Sequence, residues 1–320
     1  MRTTTRATML LMTCIVVTVL VNVPLGGQGR GAPEGAAAAP DHKEEFSETF
    51  RGSQRNNVEY QKVAPFKMFD NLYYVGPGYV SVFLIPTTQG LILVDTAEEP
   101  YVDHVIDGIR KSGFDPKDIK YLILSHAHLD HIGGATKILE LSGARVVSSD
   151  LDWPLIEAIG TRPGRGNTPP PKMPKRDMTV KDGETLVLGN TTLTFYVMGG
   201  HTPGSLSVAF TVLDGGMPRK AFLFGGPGPR GGVEGAEQFL ASAKRLSQFQ
   251  GVQVAAQVHS WLNDYHYPNG GLLERARTLA QRKPGEPNPF VDTASWGLWV
   301  KQVQAGAEKN LADEKQKAAK

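Results

Sequence analysis

Apolar positions in the first half of the chain fall into short runs broken by Gly and Pro. Residues 71–75, 80–85 and 91–94 are rich in β-branched and aromatic side chains and predict strands. From Pro100 the period changes. Val102, Val105, Ile106 and Ile109 recur at i, i+3, i+4 and i+7, predicting a helix over 100–112 that Gly113 ends. Residues 121–124 form a continuous apolar run, as expected of a buried strand. Helices are predicted over 133–142 and 151–159, with a strand over 144–147 between them. Residues 162–176, rich in Gly and Pro, predict a long loop. Residues 178–197 predict hairpin strands around Asp182-Gly183 and Gly189-Asn190. Strands follow over 205–210 and 221–224, a helix over 234–249, a strand over 252–258 and a helix over 272–281. The last helix starts at Asp292 or Thr293 and carries Trp296, Trp299, Val300 and Val303 on one face. Strands come first, helices interleave, and the order then recurs without a dividing linker. That order predicts an α/β protein with two sheets packed together and helices outside.

The N-terminus has a different pattern. A basic start with Arg2 and Arg6 precedes an uncharged apolar stretch, residues 7–25, and then a small-residue run, Ala36 to Ala39. Residues 1–39 therefore predict a secretory signal peptide. The alternative is an uncleaved anchor, since the stretch approaches the length needed to span a bilayer. Either way the basic flank keeps that end inside and exports the body, to the periplasm or beyond. Residues 40–68 are expected to be a linker or loosely packed arm, and 69–320 the folded domain.

Composition excludes several classes. Of 320 residues, 40% are hydrophobic and 21% charged, a foldable mixture rather than a disordered or fibrous one. Net charge is +2 with no basic cluster, which argues against a nucleic-acid partner. The only cysteine, Cys14, lies in the apolar leader, so the body has neither disulfides nor thiol chemistry.

The eight histidines are unevenly placed. Ser125-His126-Ala127-His128-Leu129-Asp130-His131 follows a predicted strand and precedes a helix, and Gly133-Gly134 permits a tight turn. His126 and His128 are two apart, so an extended backbone points both to one side. Asp130 and His131 fall where the chain turns and can face a second ion. Imidazole and carboxylate together suit zinc. His201, in Gly199-Gly200-His201-Thr202-Pro203-Gly204, sits in a loop shaped by Gly and Pro. His259 follows the strand at 252–258 directly, and His266 competes with it as a ligand. His104 is expected at the surface of its helix, and His42 in the arm has no assigned role.

With these residues the chain resembles the metallo-β-lactamase superfamily over about residues 70 to 315. The His-x-His-x-Asp-His pattern at 126–131 is the central mark. Residues 91–96, ending in Asp95-Thr96, resemble the family strand that closes on aspartate. Asp182-Gly183-Glu184-Thr185-Leu186 and Gly200-His201-Thr202-Pro203-Gly204 resemble its second half. The resemblance implies a four-layer αβ/βα sandwich with metal at one edge. Many hydrolases of the family bridge their metals with an aspartate near the position after Phe224, and two β-lactamase subclasses use a cysteine in that region. Here Gly225-Gly226-Pro227-Gly228 follows instead. The chain is thus most similar to the third β-lactamase subclass. That similarity implies one zinc on His126, His128 and His201, and a second on Asp130, His131 and His259. It implies a hydrolase that opens a cyclic amide with a metal-bound hydroxide oriented by Asp130. Asp95 is a candidate to orient a ligand histidine. Arg230 is a candidate to bind a substrate carboxylate in place of the serines often found there. The alternatives are a related two-zinc hydrolase of another ester, lactone or amide, and a non-catalytic metal-binding protein. The expected partner is a small-molecule substrate, with no nucleic acid and no stable membrane partner.

Overall fold

The computed structural model describes residues 46–164, 168–260, 267–268 and 270–320. The signal-like segment, His42, His266 and part of the 162–176 loop lie outside them. No helix among the described residues is long and apolar enough to cross a membrane.

Seven strands form the first sheet in chain order: β1 Phe66–Phe69, β2 Leu72–Tyr74, β3 Phe83–Thr87, β4 Gly90–Val94, β5 Ile119–Ile123, β6 Arg145–Ser149 and β7 Met178–Val180. β1 to β4 are antiparallel neighbours and β4 to β7 parallel ones, the latter joined through helices. The second sheet has five strands in the order β12-β11-β10-β9-β8. They are β8 Thr185–Leu188, β9 Thr191–Val197, β10 Leu206–Asp214, β11 Met217–Phe224 and β12 Val254–Gln257.

Strand periodicity divides the burial between layers. On β11, Ala221 and Leu223 enter the core shared with the first sheet, whereas Phe222 and Phe224 point the other way. There they meet Phe239 of Gly232–Leu246 and Trp296 and Trp299 of Thr293–Ala318. The helix Val102–Lys111 and the helix Ala135–Ser142 cover the first sheet through Val105, Ile109 and Ile138. The result is the αβ/βα sandwich. Asp292 caps the long final helix, its carboxylate accepting the Ala294 and Ser295 amides at 3.0 and 2.9 Å.

Three expectations are corrected. Residues 178–197 do not form one hairpin. β7 pairs with β6 in the first sheet, β8 with β9 in the second, and Asp182-Gly183 carries the chain between sheets. The same turn chemistry serves a hairpin or a crossover, and only the partners decide. Residues 46–61 are not a loose arm. Phe46–Thr49 and Val58–Gln61 are short helices, Phe50 is buried, and the Gln61 side chain donates to the Phe50 carbonyl at 2.7 Å. His104 is half-buried rather than at the surface, and its Nε2 has no hydrogen-bond partner.

Candidate metal centre

After β5 the backbone bends at His126 and Ala127, where the His128 amide donates to the His126 carbonyl at 3.0 Å, and it is extended at His128 (φ −116°, ψ 145°) before the short helix Leu129–Ile132. This bend, and not the extended backbone expected from the sequence, brings the His126 and His128 rings together, and the helical turn places Asp130 and His131 beside them. His201 arrives on the loop between β9 and β10, and His259 two residues after β12. Rings of His126, His128 and His201 form a near-equilateral triangle, with centroids 4.8, 4.6 and 4.7 Å apart. Beside it, Asp130 Oδ2 lies 3.6 Å from His131 Nε2 and 3.9 Å from His259 Nε2. The two Nε2 atoms are 3.3 Å apart.

The outer nitrogens set which inner ones are bare. His131 Nδ1 donates to Asp95 Oδ2 at 2.7 Å. Asp95 is itself buried and accepts from the Ser125 amide and hydroxyl at 2.8 and 2.7 Å. It occupies the left-handed region at φ 64°, a conformation that asparagine and aspartate tolerate better than bulky residues. His259 Nδ1 donates to the Tyr79 carbonyl at 2.8 Å, and His201 Nδ1 to that of Gly228 at 2.7 Å. In their neutral forms His131 and His259 therefore present two lone pairs to each other across 3.3 Å, which is repulsive without a cation between them. His126 Nε2 is buried with no partner at all. Donors about 2.05 Å from a tetrahedral ion stand about 3.4 Å apart, close to the spacing of the Asp130, His131 and His259 donors. Both trios fit a metal ion.

Burial, reinforced by neighbouring imidazoles, holds His126 well below its usual pKa. Burial and Arg230 bring His128 down to about 4; burial and His128 bring His201 to about 3. Burial and Arg51 keep His259 well below its usual value. His131 moves up, because Asp130 and Asp95 outweigh its burial. Asp130 moves down, because His131, His128 and Arg51 outweigh its own burial. At neutral pH the histidines of the first trio are thus neutral donors.

Several residues here were not picked out from the sequence. Asp152 resembles an ordinary helix start before Trp153-Pro154, yet its carboxylate caps nothing in that helix. Fully buried, it accepts from the Ala127 amide at 2.8 Å, the Thr202 hydroxyl at 2.7 Å and the Gly204 amide at 2.8 Å. It ties the His126–His128 loop to the His201 loop. Arg51, from the supposed arm, places Nη1 against His259 Nδ1. Nothing in a polar stretch marks such a residue in advance. Arg230 is exposed at the rim. A cavity of about 780 Å³ opens over both trios, and Arg51, Arg55 and Arg230 all line it. No carboxylate follows Phe224. A Cβ at Gly225 would lie 1.8 Å from the Leu206 carbonyl oxygen, so that point of the backbone admits no side chain.

Two stacked sheets presenting two adjacent trios of nitrogen and oxygen donors at an open cavity define a metal-dependent α/β enzyme. A family model described as the metallo-beta-lactamase superfamily matches residues 75–217. BJP-1, a subclass B3 metallo-β-lactamase of Bradyrhizobium japonicum, is 31% identical. The match covers 82% of this chain and 99% of that one, with a TM-score of 0.70. The FEZ-1 metallo-β-lactamase of Legionella gormanii is 27% identical over 79% of this chain and 97% of its own, with a TM-score of 0.69. The hydroxyacylglutathione hydrolase GloC of Haemophilus influenzae is 31% identical over 130 residues, which is 37% of this chain and 58% of GloC. The curated sequence relatives are matched over less than two thirds of their length, from 15 to 63% in the first three. The chain belongs to the metallo-β-lactamase superfamily. Its solved structural neighbours include subclass B3 metallo-β-lactamases, and its fold and donor groups are those of a metallo-hydrolase.

Proposed function

We propose that the protein is an exported two-zinc hydrolase that opens a cyclic amide, with β-lactams as its substrates. The observation that carries this reading is the donor set, three histidines beside Asp, His and His, with no carboxylate in the Gly225–Gly228 stretch after Phe224. His126, His128 and His201 would hold one zinc, and Asp130, His131 and His259 the other. Bound zinc supplies Lewis acidity and lowers the pKa of water from 15.7 to about 7. The chain's own residues do the rest. Asp130 is anionic, partly exposed to the cavity, and placed to accept a hydrogen bond from the attacking water. Asp95 holds His131 in the tautomer that leaves Nε2 free. Arg230, on the rim beside His128 and His201, binds the substrate carboxylate. Pro227 and Pro229 stiffen the loop that carries it.

The resemblance of residues 1–39 to a signal peptide and the cysteine-free body support export. Appearance of the chain outside the cytoplasm, with its N-terminus beyond residue 30, is the expected result of fractionation and N-terminal sequencing.

A panel of penicillins, cephalosporins, carbapenems, lactones and hydroxyacyl thioesters tests the activity. The expected outcome is cleavage of at least one β-lactam, abolished by a chelator and unaffected by serine-directed inhibitors. The match to hydroxyacylglutathione hydrolases favours a second reading, a thioester or lactone hydrolase. Cleavage of those compounds without any β-lactam turnover, in zinc-replete protein, establishes that reading instead.

A further inference from the structure

The cavity is charged on both flanks. On one side, Arg230 adjoins His128 and His201. On the other, Arg51 and Arg55 come from the N-terminal segment, beside Asp130 and His259. Arg55 stacks over the Tyr79 ring, its guanidinium carbon 3.7 Å from the centroid, so its charge is held in place without an acid. Arg51 Nη1 has the Tyr79 carbonyl at 3.4 Å and His259 Nδ1 as neighbours. His259 Nδ1, when it donates to the Tyr79 carbonyl, offers Arg51 no acceptor. Among the described residues, neither Arg51 nor Arg55 has a carboxylate within ion-pairing distance. The carboxylates lining this cavity are Glu98, which accepts from the Tyr79 hydroxyl at 3.3 Å, and Asp130, which belongs to the donor trio. Two guanidinium groups sharing a partly desolvated cavity repel each other. Bidentate oxyanions are their natural complement.

We propose that Arg51 and Arg55 form a second anion subsite, opposite Arg230, that receives an additional carboxylate carried on the substrate's side chain. The preferred substrate is then dianionic, lying across both donor trios with one acidic group at each end. The inference rests on the hydrolase reading for its substrate class, but not for its geometry, which stands on the arginines alone.

Benzylpenicillin and carbenicillin test it, since they differ by one side-chain carboxylate. Their KM values are compared in zinc-replete wild-type protein and in Arg55→Gln and Arg55→Lys, at low and high ionic strength. If a compound is not hydrolysed, calorimetry gives its Kd instead. Carbenicillin is expected to bind about tenfold more tightly than benzylpenicillin in wild type at low salt. That preference should vanish in Arg55→Gln, persist largely in Arg55→Lys, and shrink as salt rises. Equal affinities in wild type, or a preference that survives Arg55→Gln, overturn the subsite. If Arg55→Gln fails to fold, the wild-type preference and its salt dependence still decide. Absence of turnover with a retained carbenicillin preference refutes the β-lactam reading and leaves the subsite standing.

Discussion

The two donor trios differ in what holds them. The first, His126, His128 and His201, is braced by a hydroxyl and a backbone carbonyl, Ser125 Oγ and Gly228 O. Its two loops are tied by a third party, Asp152, which touches none of the imidazoles. The second, Asp130, His131 and His259, is braced directly. Asp95 lies on His131, and the Tyr79 carbonyl lies on His259. The first site is positioned through backbone placement and the second through charge. One change should therefore loosen the loops of the first site, and another should weaken the second more than the first.

Removing a donor is the harshest test. His201→Ala should lower activity by well over the roughly 100-fold that loss of an outer-sphere partner costs, and bring zinc from two ions per chain toward one. His266→Ala is the control. Comparable losses in both variants, with both folded by circular dichroism, would mean that the donor trio is wrongly drawn.

Asp152→Ala strands the Ala127 and Gly204 amides and the Thr202 hydroxyl in a buried place. Each unpaired group costs about 1–3 kcal/mol, so a loss of several kcal/mol in urea unfolding is expected. Zinc retention at the first site should fall with it. Unchanged stability would show that water replaces the carboxylate.

Asp95→Asn should weaken zinc at the second site by about 10- to 100-fold, measured by competition with a chelator, and the first site less, since Asp95 reaches His126 only through Ser125 Oγ. Equal weakening of both sites would erase the distinction between them.

A pH slope in the metal-free protein also tests the difference between the trios. His128 and His201 titrate near 4 and 3 when folded, against 6.5 when unfolded. Between those values the unfolded chain binds protons that the folded chain refuses, so acid favours unfolding. Stability should be complete above pH 6.5 and fall toward pH 4, by about 1.4 kcal/mol per pH unit for each proton taken up. His131, shifted upward, opposes this with the opposite sign. A urea midpoint higher at pH 5 than at pH 7.5 would show that His131 dominates.

What could be read in the chain follows from how local each signal is. His126 to His131 lie within six residues, so a strand end, one bend and one helical turn suffice to aim them. Gly200 precedes His201 with φ 120°, and its missing side chain lets the Phe239 backbone approach. That is why the glycines around His201 marked a shaped loop. Trp296, Trp299, Val300 and Val303 lie on one helical face, and all four are buried. Periodicity also placed most strands to within a few residues. It shortened β11, because Met217–Phe224 begins with four residues that are not buried, Met217, Pro218, Arg219 and Lys220, which only pairing with β10 makes a strand.

Tertiary structure decided the rest. Asp182-Gly183 turns equally well into a hairpin or a crossover, and strand partners distant in sequence made it a crossover. Asp152 became a clamp because three donors from residues 127, 202 and 204 surround it, not because of its neighbours in the chain. Arg51 and Arg55 sit in a polar stretch that has no periodicity to interpret, and they reach the cavity because Phe50 and Gln61 bury that stretch against the body. Local sequence determines which backbone a few residues prefer and which side chains can donate. Which distant groups share a dry space depends on the packing of the whole chain.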